Sequence, residues 1–278
     1  MNRGLYTGTL GMLVQEASQD AIAHNLANVT TTSFKRIIPV FHSLPQISIH
    51  RLYDTPKEGF HDLIAAQTTA LPLLEEHPQV GPLGTGVVVD EITTIFEGGP
   101  IRSTGNRLDL AIQGSGFFAI QTEEGEVYTR NGSFTLNKES QITTLEGSLV
   151  LGQKGPIKIT APEFAVTEDG LILENPKGDP AGWKSPQEVD QLKIVDFKNK
   201  GGLVRRGDSL FVATGLSGEA EPASDFRIHQ GYLEGSNVNP VIEMVRMIEA
   251  MRAYEANQKI IQSHDQCLGR AINDVGTR

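Results

Sequence analysis

The sequence predicts an α+β protein, in which N- and C-terminal helices form a coiled-coil-like helical layer and a central all-β domain consists of short antiparallel strands. Apolar residues recur at helical spacings near both ends of the 278-residue chain, whereas its middle carries short β-rich runs between turn residues. The net charge of −10 also lies in the middle, where residues 37–230 hold 16 Lys/Arg and 26 Asp/Glu. The nearly neutral ends can pack against other copies without strong repulsion.

The first predicted element is a helix over about residues 5–29, a stretch that contains no proline. Its apolar positions are three or four residues apart, and many of the side chains are small, which favours close contact with another helix. The β-branched and hydroxyl-rich residues 28–33 should end the helix. The positions expected at a helix interface are Leu10, Leu13, Val14, Ala17, Ala21 and Leu26.

The last predicted element is a long C-terminal helix that starts at Asn239-Pro240, an N-cap followed by a proline in the first turn. A seven-residue apolar repeat follows, interrupted by Gln258 and Asp265. A helix over 240–273 would be about 50 Å long, so we expect that it cannot bury this stripe against its own chain. A seam with a partner helix is favoured, and a long core or surface helix is the alternative. The repeat comprises Met244, Met247, Met251, Tyr254, Ile261, Leu268 and Ile272.

Between the helices, prolines and turn residues divide the chain further. Residues 37–83 contain scattered prolines and are predicted to be an extended linker. From 84 to 230, β-rich runs such as 116–120 and 126–129 alternate with turn signals such as Asn131-Gly132. The predicted domains are therefore an N-terminal helix and signature (1–36), the linker (37–83), the β domain (84–230) and the C-terminal helix (231–278).

The residues give no pattern typical of catalysis. The single cysteine, Cys267, excludes an internal disulfide and a thiolate zinc site, and the seven histidines show no metal-ligand spacing. Nucleotide-binding and nucleophile motifs are missing. We therefore expect no enzyme activity, no catalytic residues, no cofactor and no metal.

The charge and the hydropathy also limit the partners. An acidic chain is a poor match for nucleic acid, and no apolar run approaches the roughly 20 residues that span a bilayer, so we expect neither nucleic-acid binding nor direct membrane insertion. Glu16 and Asp20 interrupt the apolar N-terminal region. If the protein leaves the cytoplasm, we expect export without a cleaved signal peptide.

Four segments carry a specific resemblance: residues 24–36 (HNLANVTTTSFKR), 113–118 (QGSGFF), 128–134 (YTRNGSF) and 231–255, which begins GYLEGSNVNP. They resemble the flagellar basal-body rod and hook protein family. Family members usually carry Asn-Gly before the aromatic residue of the first segment, where this chain has Thr32-Ser33. The resemblance adds five residues to the expected assembly interface: Asn25, Asn28, Phe34, Asn237 and Asn239.

The resemblance implies a structural subunit that self-assembles through its terminal helices into the axial drive shaft of the flagellum, transmitting torque and surrounding the export channel. The implied partners are further copies of this chain, other flagellar rod subunits, hook and ring proteins, and the flagellar type III export apparatus. The implied location is the periplasmic rod of the basal body. Within the family, residues 155–157, 175–180 and 204–208 are similar to the proximal rod type, and the distal rod type is the alternative.

Two other functions are compatible with these patterns. One is a junction or adaptor protein of the same apparatus that does not polymerise. The other is an enzyme or ligand-binding β domain with a helical oligomerisation tail, which would require a pocket of convergent polar groups. The pair Arg205-Arg206 either contacts an acidic partner or keeps a strand edge soluble.

Overall fold

A computed structural model describes residues 3–50, 79–161, 163–175, 186–207 and 209–275. Both predicted helices are confirmed: α1 spans Arg3–Ala27 and α2 spans Pro240–Val275. The helix α1 ends where β-branched and hydroxyl side chains begin, and α2 begins with Pro240 in its first turn. A 3-10 turn covers Lys200–Gly202. Within these ranges, neither helix is long and apolar enough to cross a membrane.

Short strands make up the rest of the regular structure. The first five are β1 (Ile37–Ser43), β2 (Ile47–His50), β3 (Gln79–Leu83), β4 (Val87–Thr94) and β5 (Ile101–Ser103). The next eight are β6 (Leu110–Gly114), β7 (Phe117–Thr122), β8 (Gly125–Thr129), β9 (Phe134–Leu136), β10 (Ile142–Thr144), β11 (Leu149–Val150), β12 (Glu163–Val166) and β13 (Leu171–Asn175). The last seven are β14 (Gln187–Gln191), β15 (Ile194–Asp196), β16 (Val204–Arg205), β17 (Leu210–Val212), β18 (Glu221–Pro222), β19 (Phe226–Gln230) and β20 (Tyr232–Glu234).

The strands pair into one large sheet and several small ones. The large sheet runs in the order β16-β17-β8-β7-β11-β10-β9, and β15, itself paired with β18, joins it at β7. A three-stranded sheet is formed by β12, β13 and β14. Two-stranded ribbons join β1 to β4, β2 to β3, β5 to β20 and β6 to β19. The registered pairs are antiparallel, as the short strands and turn signals predict.

The strand β7 separates two apolar cores because its side chains alternate between the faces of the sheet. Phe118 belongs to a cluster that includes Ile112 and Phe134, whereas Phe117 belongs to a second cluster with Phe211. The ring of Phe117 meets that of Phe211 edge-on, with the centroids 5.9 Å apart. Phe117 and Phe118 are adjacent in the sequence and thus pack on opposite faces of one sheet.

A close backbone approach explains one glycine of the resemblance. A Cβ atom added at Gly132 would lie within bonding distance of the Leu110 carbonyl oxygen, and the Leu110 N–H donates to the Gly132 carbonyl oxygen at 3.0 Å. Only glycine fits at this position. The turn at Asn131-Gly132 therefore fixes β6 beside the start of β9.

The chain divides into two compact units whose limits differ from the four predicted segments. The first unit combines residues 1–18, 39–91 and 249–278, and the second combines 19–38 and 92–248. The described parts of the predicted linker 37–83 contain the paired strands β1, β2 and β3. Isoleucines favour β1 and β2, and two-stranded ribbons tolerate proline on a free edge. A prediction from the prolines alone therefore underestimates the strand content of the described parts of this segment.

Candidate assembly site

The two sequence signatures meet in the second unit around a buried carboxylate, Glu234 on β20, which is 2% exposed. The Lys35 Nζ atom lies 2.6 Å from Glu234 Oε1, and the Arg130 Nη1 atom lies 3.4 Å from Glu234 Oε2. The Gly99 N–H also donates to Oε1, at 2.8 Å. We call Lys35, Arg130 and Glu234 the buried triad. It connects the N-terminal signature, the β domain and the C-terminal signature.

Lys35 shows how strongly the triad depends on its carboxylate. Burial lowers the pKa of the Lys35 ammonium, the nearby Arg130 charge lowers it further, and Glu234 acts in the opposite direction. The Lys35 Nζ atom also donates to the Glu97 carbonyl oxygen at 2.8 Å. Without Glu234, two cations would remain close together away from water, a situation that costs several kcal/mol.

Backbone and hydroxyl contacts hold the N-terminal signature beside the triad. The Ser33 N–H donates to the Glu234 carbonyl oxygen at 2.8 Å, and the Ser33 hydroxyl donates to the Arg130 carbonyl oxygen at 2.7 Å. Ser33 has a φ of +53°, the left-handed conformation that favours glycine. The departure from the family pattern thus lies at a position where the backbone geometry suits the usual residue.

Two asparagines act as backbone partners for the strand that follows the signature. Asn25 is 1% exposed; its side chain donates to the Ile37 carbonyl oxygen at 2.8 Å and accepts from the Ile37 N–H at 2.9 Å. Asn237 accepts from the Arg36 N–H at 2.7 Å and donates to the Ile95 carbonyl oxygen at 2.9 Å. Both amides replace strand partners and so fix the chain after α1.

The first turns of α2 are anchored by a second buried carboxylate. The Asn239 side chain caps the helix by accepting from the Val241 N–H at 3.0 Å. Glu243 is 1% exposed, and its Oε1 lies 2.7 Å from Arg246 Nη1 and 3.5 Å from Arg36 Nη1. The Asn25 amide donates to Glu243 Oε2 at 3.4 Å. The polar face of this helix start therefore points inward.

The apolar face of the first turns of α2 points outward. Four apolar side chains of this face are well exposed, while Glu243 between them is buried: Val241 (63%), Ile242 (48%), Val245 (51%) and Ile248 (51%). This arrangement is the reverse of a surface helix on a globular protein, which buries its apolar stripe. We call these four side chains the outer apolar face of α2; contiguous exposed apolar surface of this kind is typical of a protein–protein interface.

In the first unit, the two helices contact each other directly through glycines of α1. The contacts pair Gly4 with His264, Gly8 with Ile261 and Gly11 with Asn257. The order shows that α1 and α2 run antiparallel. A Cβ atom at Gly8 would lie 3.1 Å from Ile261 Cγ1, so the missing side chain permits the close approach. The expectation that α2 cannot bury its stripe against its own chain is therefore wrong at Ile261, because α1 covers this position.

The predicted interface residues fall into three groups by exposure. Val14, Ala21, Asn25 and Phe34 are buried within the subunit. Leu10, Ala17, Leu26, Asn28, Asn237, Met247, Tyr254 and Ile261 are partly buried. Leu13, Asn239, Met244, Met251, Leu268 and Ile272 are exposed. The exposed group is the part of the prediction available to a partner, whereas Asn25 and Phe34 can affect assembly only through the fold of the subunit.

Sequence reasoning missed the ionic partners of the signatures. Four of these partners lie inside or beside the motifs, so a search for charged residues there would have found them: Lys35, Arg36, Glu234 and Glu243. Arg130 lies in the Asn-Gly turn motif. Across the described ranges, no group of three or more His, Cys, Asp or Glu side chains is arranged to hold a metal ion.

Comparison with known proteins agrees with this architecture. Residues 229–274 match the family model of the flagellar basal body rod FlgEFG protein C-terminal region, and residues 111–174 match the flagellar hook protein FlgE/F/G D1 domain. The first match covers β20 and most of α2, and the second covers β7 to β13. Three of the four segments that carry the resemblance, residues 113–118, 128–134 and 231–255, therefore lie in regions matched by family models.

Curated relatives match along almost the whole chain. The flagellar basal-body rod protein FlgG of Borreliella burgdorferi is 36% identical over 98% of both chains, and FlgG of Caulobacter vibrioides is 35% identical over 96% of this chain and 97% of its own. FlgF of Caulobacter vibrioides is 30% identical over 99% of both chains. These proteins are structural, in agreement with the predicted lack of enzyme activity. The chain belongs to the flagellar basal-body rod protein family.

Proposed function

We propose that this chain is a structural subunit of the flagellar rod that assembles with further copies of itself through the exposed faces of its terminal helices. The observation that carries the proposal is the reversed polarity at the start of α2, where Glu243 is buried and Val241, Val245 and Ile248 are exposed. In the rod, we propose, these helices form the inner layer around the export channel and the β domain lies outside them.

The energetics support an interface on this face. Full burial of one Val, Ile or Met side chain contributes about 1.5–3 kcal/mol. The outer apolar face has four such side chains, and Met244 and Met251 extend it with exposures of 47% and 49%. Methionine adapts to irregular neighbours, which suits a contact repeated between subunits in slightly different positions.

The buried carboxylates suggest how torque passes through a subunit. Glu243 ties the start of α2 to Arg36, and Glu234 ties β20 to Lys35 and Arg130. A helix fixed in this way cannot rotate independently of the β domain in the second unit without breaking buried ion pairs. We propose that this rigidity lets the subunit transmit load from neighbour to neighbour.

The test compares two aspartate substitutions in the full-length chain. Val245→Asp, on the outer apolar face, should prevent assembly of concentrated protein, as measured by sedimentation and electron microscopy, and should abolish swimming. Leu145→Asp, an apolar side chain 77% exposed in the β10–β11 turn, is the matched control and should leave both unchanged. Equal melting temperatures would show that neither change unfolds the monomer. Normal rods containing Val245→Asp would contradict the proposal.

The position in the rod is also a proposal. We favour the proximal rod type on the motifs of the sequence, with the distal type as the alternative. The relatives' names say rod protein and give no position, so they do not decide between the two types. Gold labelling of a tagged chain in isolated basal bodies distinguishes the two. We also propose that its partners are other rod subunits, hook and ring proteins and the type III export apparatus. We propose that the chain is exported without a cleaved leader.

A junction or adaptor protein that does not polymerise remains the second candidate. Its supporting observation is the antiparallel contact of α1 and α2, which already covers part of the apolar repeat within one chain. An adaptor would stay monomeric when concentrated, whereas a rod subunit should form oligomers or tubes.

A further inference from the structure

Arg205 occupies an unusual place at the end of the large sheet. It lies on β16, the edge strand, which pairs with β17 in the described part of the sheet. Its guanidinium carbon stands 4.4 Å from the centre of the buried Phe34 ring, a cation–π contact. Its neighbour Val204 is 56% exposed, so the edge beside Arg205 is open to solvent.

Among the residues that the structure describes, the Arg205 guanidinium meets no carboxylate, unlike the other basic groups near the signatures. Arg36 meets Glu243, Arg130 meets Glu234, and the adjacent Arg206 meets Glu124. The buried Arg205 Nη1 atom has no hydrogen-bond partner among the described residues. A buried donor without an acceptor costs free energy. Arg205 as a whole is only partly buried, so a carboxylate can approach the rest of its guanidinium.

The positive charge at this point is that of Arg205 itself. Burial lowers the pKa of Arg205, and the Arg205 charge in turn adds to the effect of burial in lowering the pKa of His24. The His24 ring contacts the same Phe34 ring at a tilt of 47°, with the ring centroids 5.5 Å apart. A carboxylate fits such a site best, because it accepts two N–H bonds from one guanidinium.

We propose that Arg205 receives an aspartate or glutamate side chain from a second copy of this chain, at the open edge formed by β16. Charge complementarity identifies this occupant: residues 37–230 carry 26 Asp/Glu against 16 Lys/Arg, so a neighbouring copy presents many carboxylates to an isolated cation. The proposal rests on the proposed function, since it requires that copies assemble. It assigns Arg205 to the subunit interface and leaves Arg206 to its own chain.

The test uses carbodiimide, which joins a lysine amine to a carboxylate only when the two are in contact. Full-length Arg205→Lys protein is prepared in light and heavy nitrogen forms, mixed, allowed to assemble and cross-linked. Mass spectrometry should then find mixed light–heavy peptides that join position 205 to an Asp or Glu of another copy. The matched control, Arg206→Lys, should cross-link to Glu124 of its own chain and give no mixed peptide.

A second variant measures the effect on assembly. Arg205→Gln should raise the protein concentration needed for assembly about tenfold, whereas Arg206→Gln should change it less than about twofold. Assembled Arg205→Lys protein without a mixed cross-link from position 205 would overturn this proposal and leave the proposed function intact. A wild-type chain that stays monomeric at every concentration would overturn both.

Discussion

At the scale of single residues, Glu234 contributes more to the stability of the fold than the motif around it indicates. It is 2% exposed and meets Lys35, Arg130 and the Gly99 N–H. The sequence alone does not reveal this role, because a glutamate in a Gly-rich turn segment is usually solvated. Glu234 lies opposite Ile101 in the pairing of β20 with β5, among partners that are distant in the sequence.

We therefore expect Glu234→Gln to lower the free energy of unfolding by about 3–5 kcal/mol, because it leaves two buried cations without a counter-charge. Chemical denaturation of the full-length chain measures the change. The control is Glu221→Gln, which removes a carboxylate 2.6 Å from Lys198 at the surface and should have no measurable effect. Similar stabilities for the two variants would show that the triad does not stabilise the fold.

Ser33 allows a finer test at the same scale. Ser33→Ala keeps a residue with a Cβ atom at positive φ and loses the hydroxyl bond to Arg130, so it should reduce stability by about 1 kcal/mol. Ser33→Gly loses the same bond but relieves a left-handed conformation that costs about 1 kcal/mol, so the two terms should nearly cancel. Thermal unfolding of both variants measures the difference. A glycine variant less stable than the alanine variant would contradict this reading.

At the scale of elements, the helices were readily predicted from sequence and their pairing was not. Periodicity and the Asn239-Pro240 cap place both helices within a few residues of their observed ends. The contact between them depends on Gly4, Gly8 and Gly11, which a search for apolar side chains passes over. The strands in 37–83 are not predicted for a different reason, since their pairing partners are distant in the chain.

The helix contact predicts that two helical glycines, Gly8 and Gly269, differ in their tolerance of a side chain. Gly269→Ala should stabilise the chain by about 0.5–1 kcal/mol, because alanine favours the helix and its Cβ would meet nothing within 4 Å. Gly8→Leu should destabilise it, because the side chain would push against Ile261; Gly269→Leu is the size-matched control. Thermal unfolding followed by circular dichroism measures all three. Equal stability of Gly8→Leu and Gly269→Leu would mean that α1 does not pack on α2.

At the scale of the whole molecule, the α+β class and the family follow from sequence because they rest on repeated, local signals, whereas the coiled-coil-like layer stays a prediction. The assembly residues follow only in part, because burial within a subunit and burial between subunits leave the same apolar pattern. Phe34 and Met251 illustrate this: both fit an interface in the sequence, yet Phe34 is fully buried within the subunit and Met251 is 49% exposed.

Hydroxyl-radical footprinting of Met244 and Met251 tests the central claim most directly, since both side chains lie on the exposed side of α2. The full-length chain is oxidised as a dilute monomer and after assembly, and the oxidation rate of each methionine is measured by mass spectrometry. The account predicts rapid oxidation in the monomer and strong protection in the assembled form. Equal rates in the two forms would show that this face of α2 stays open to solvent and that copies assemble through some other surface.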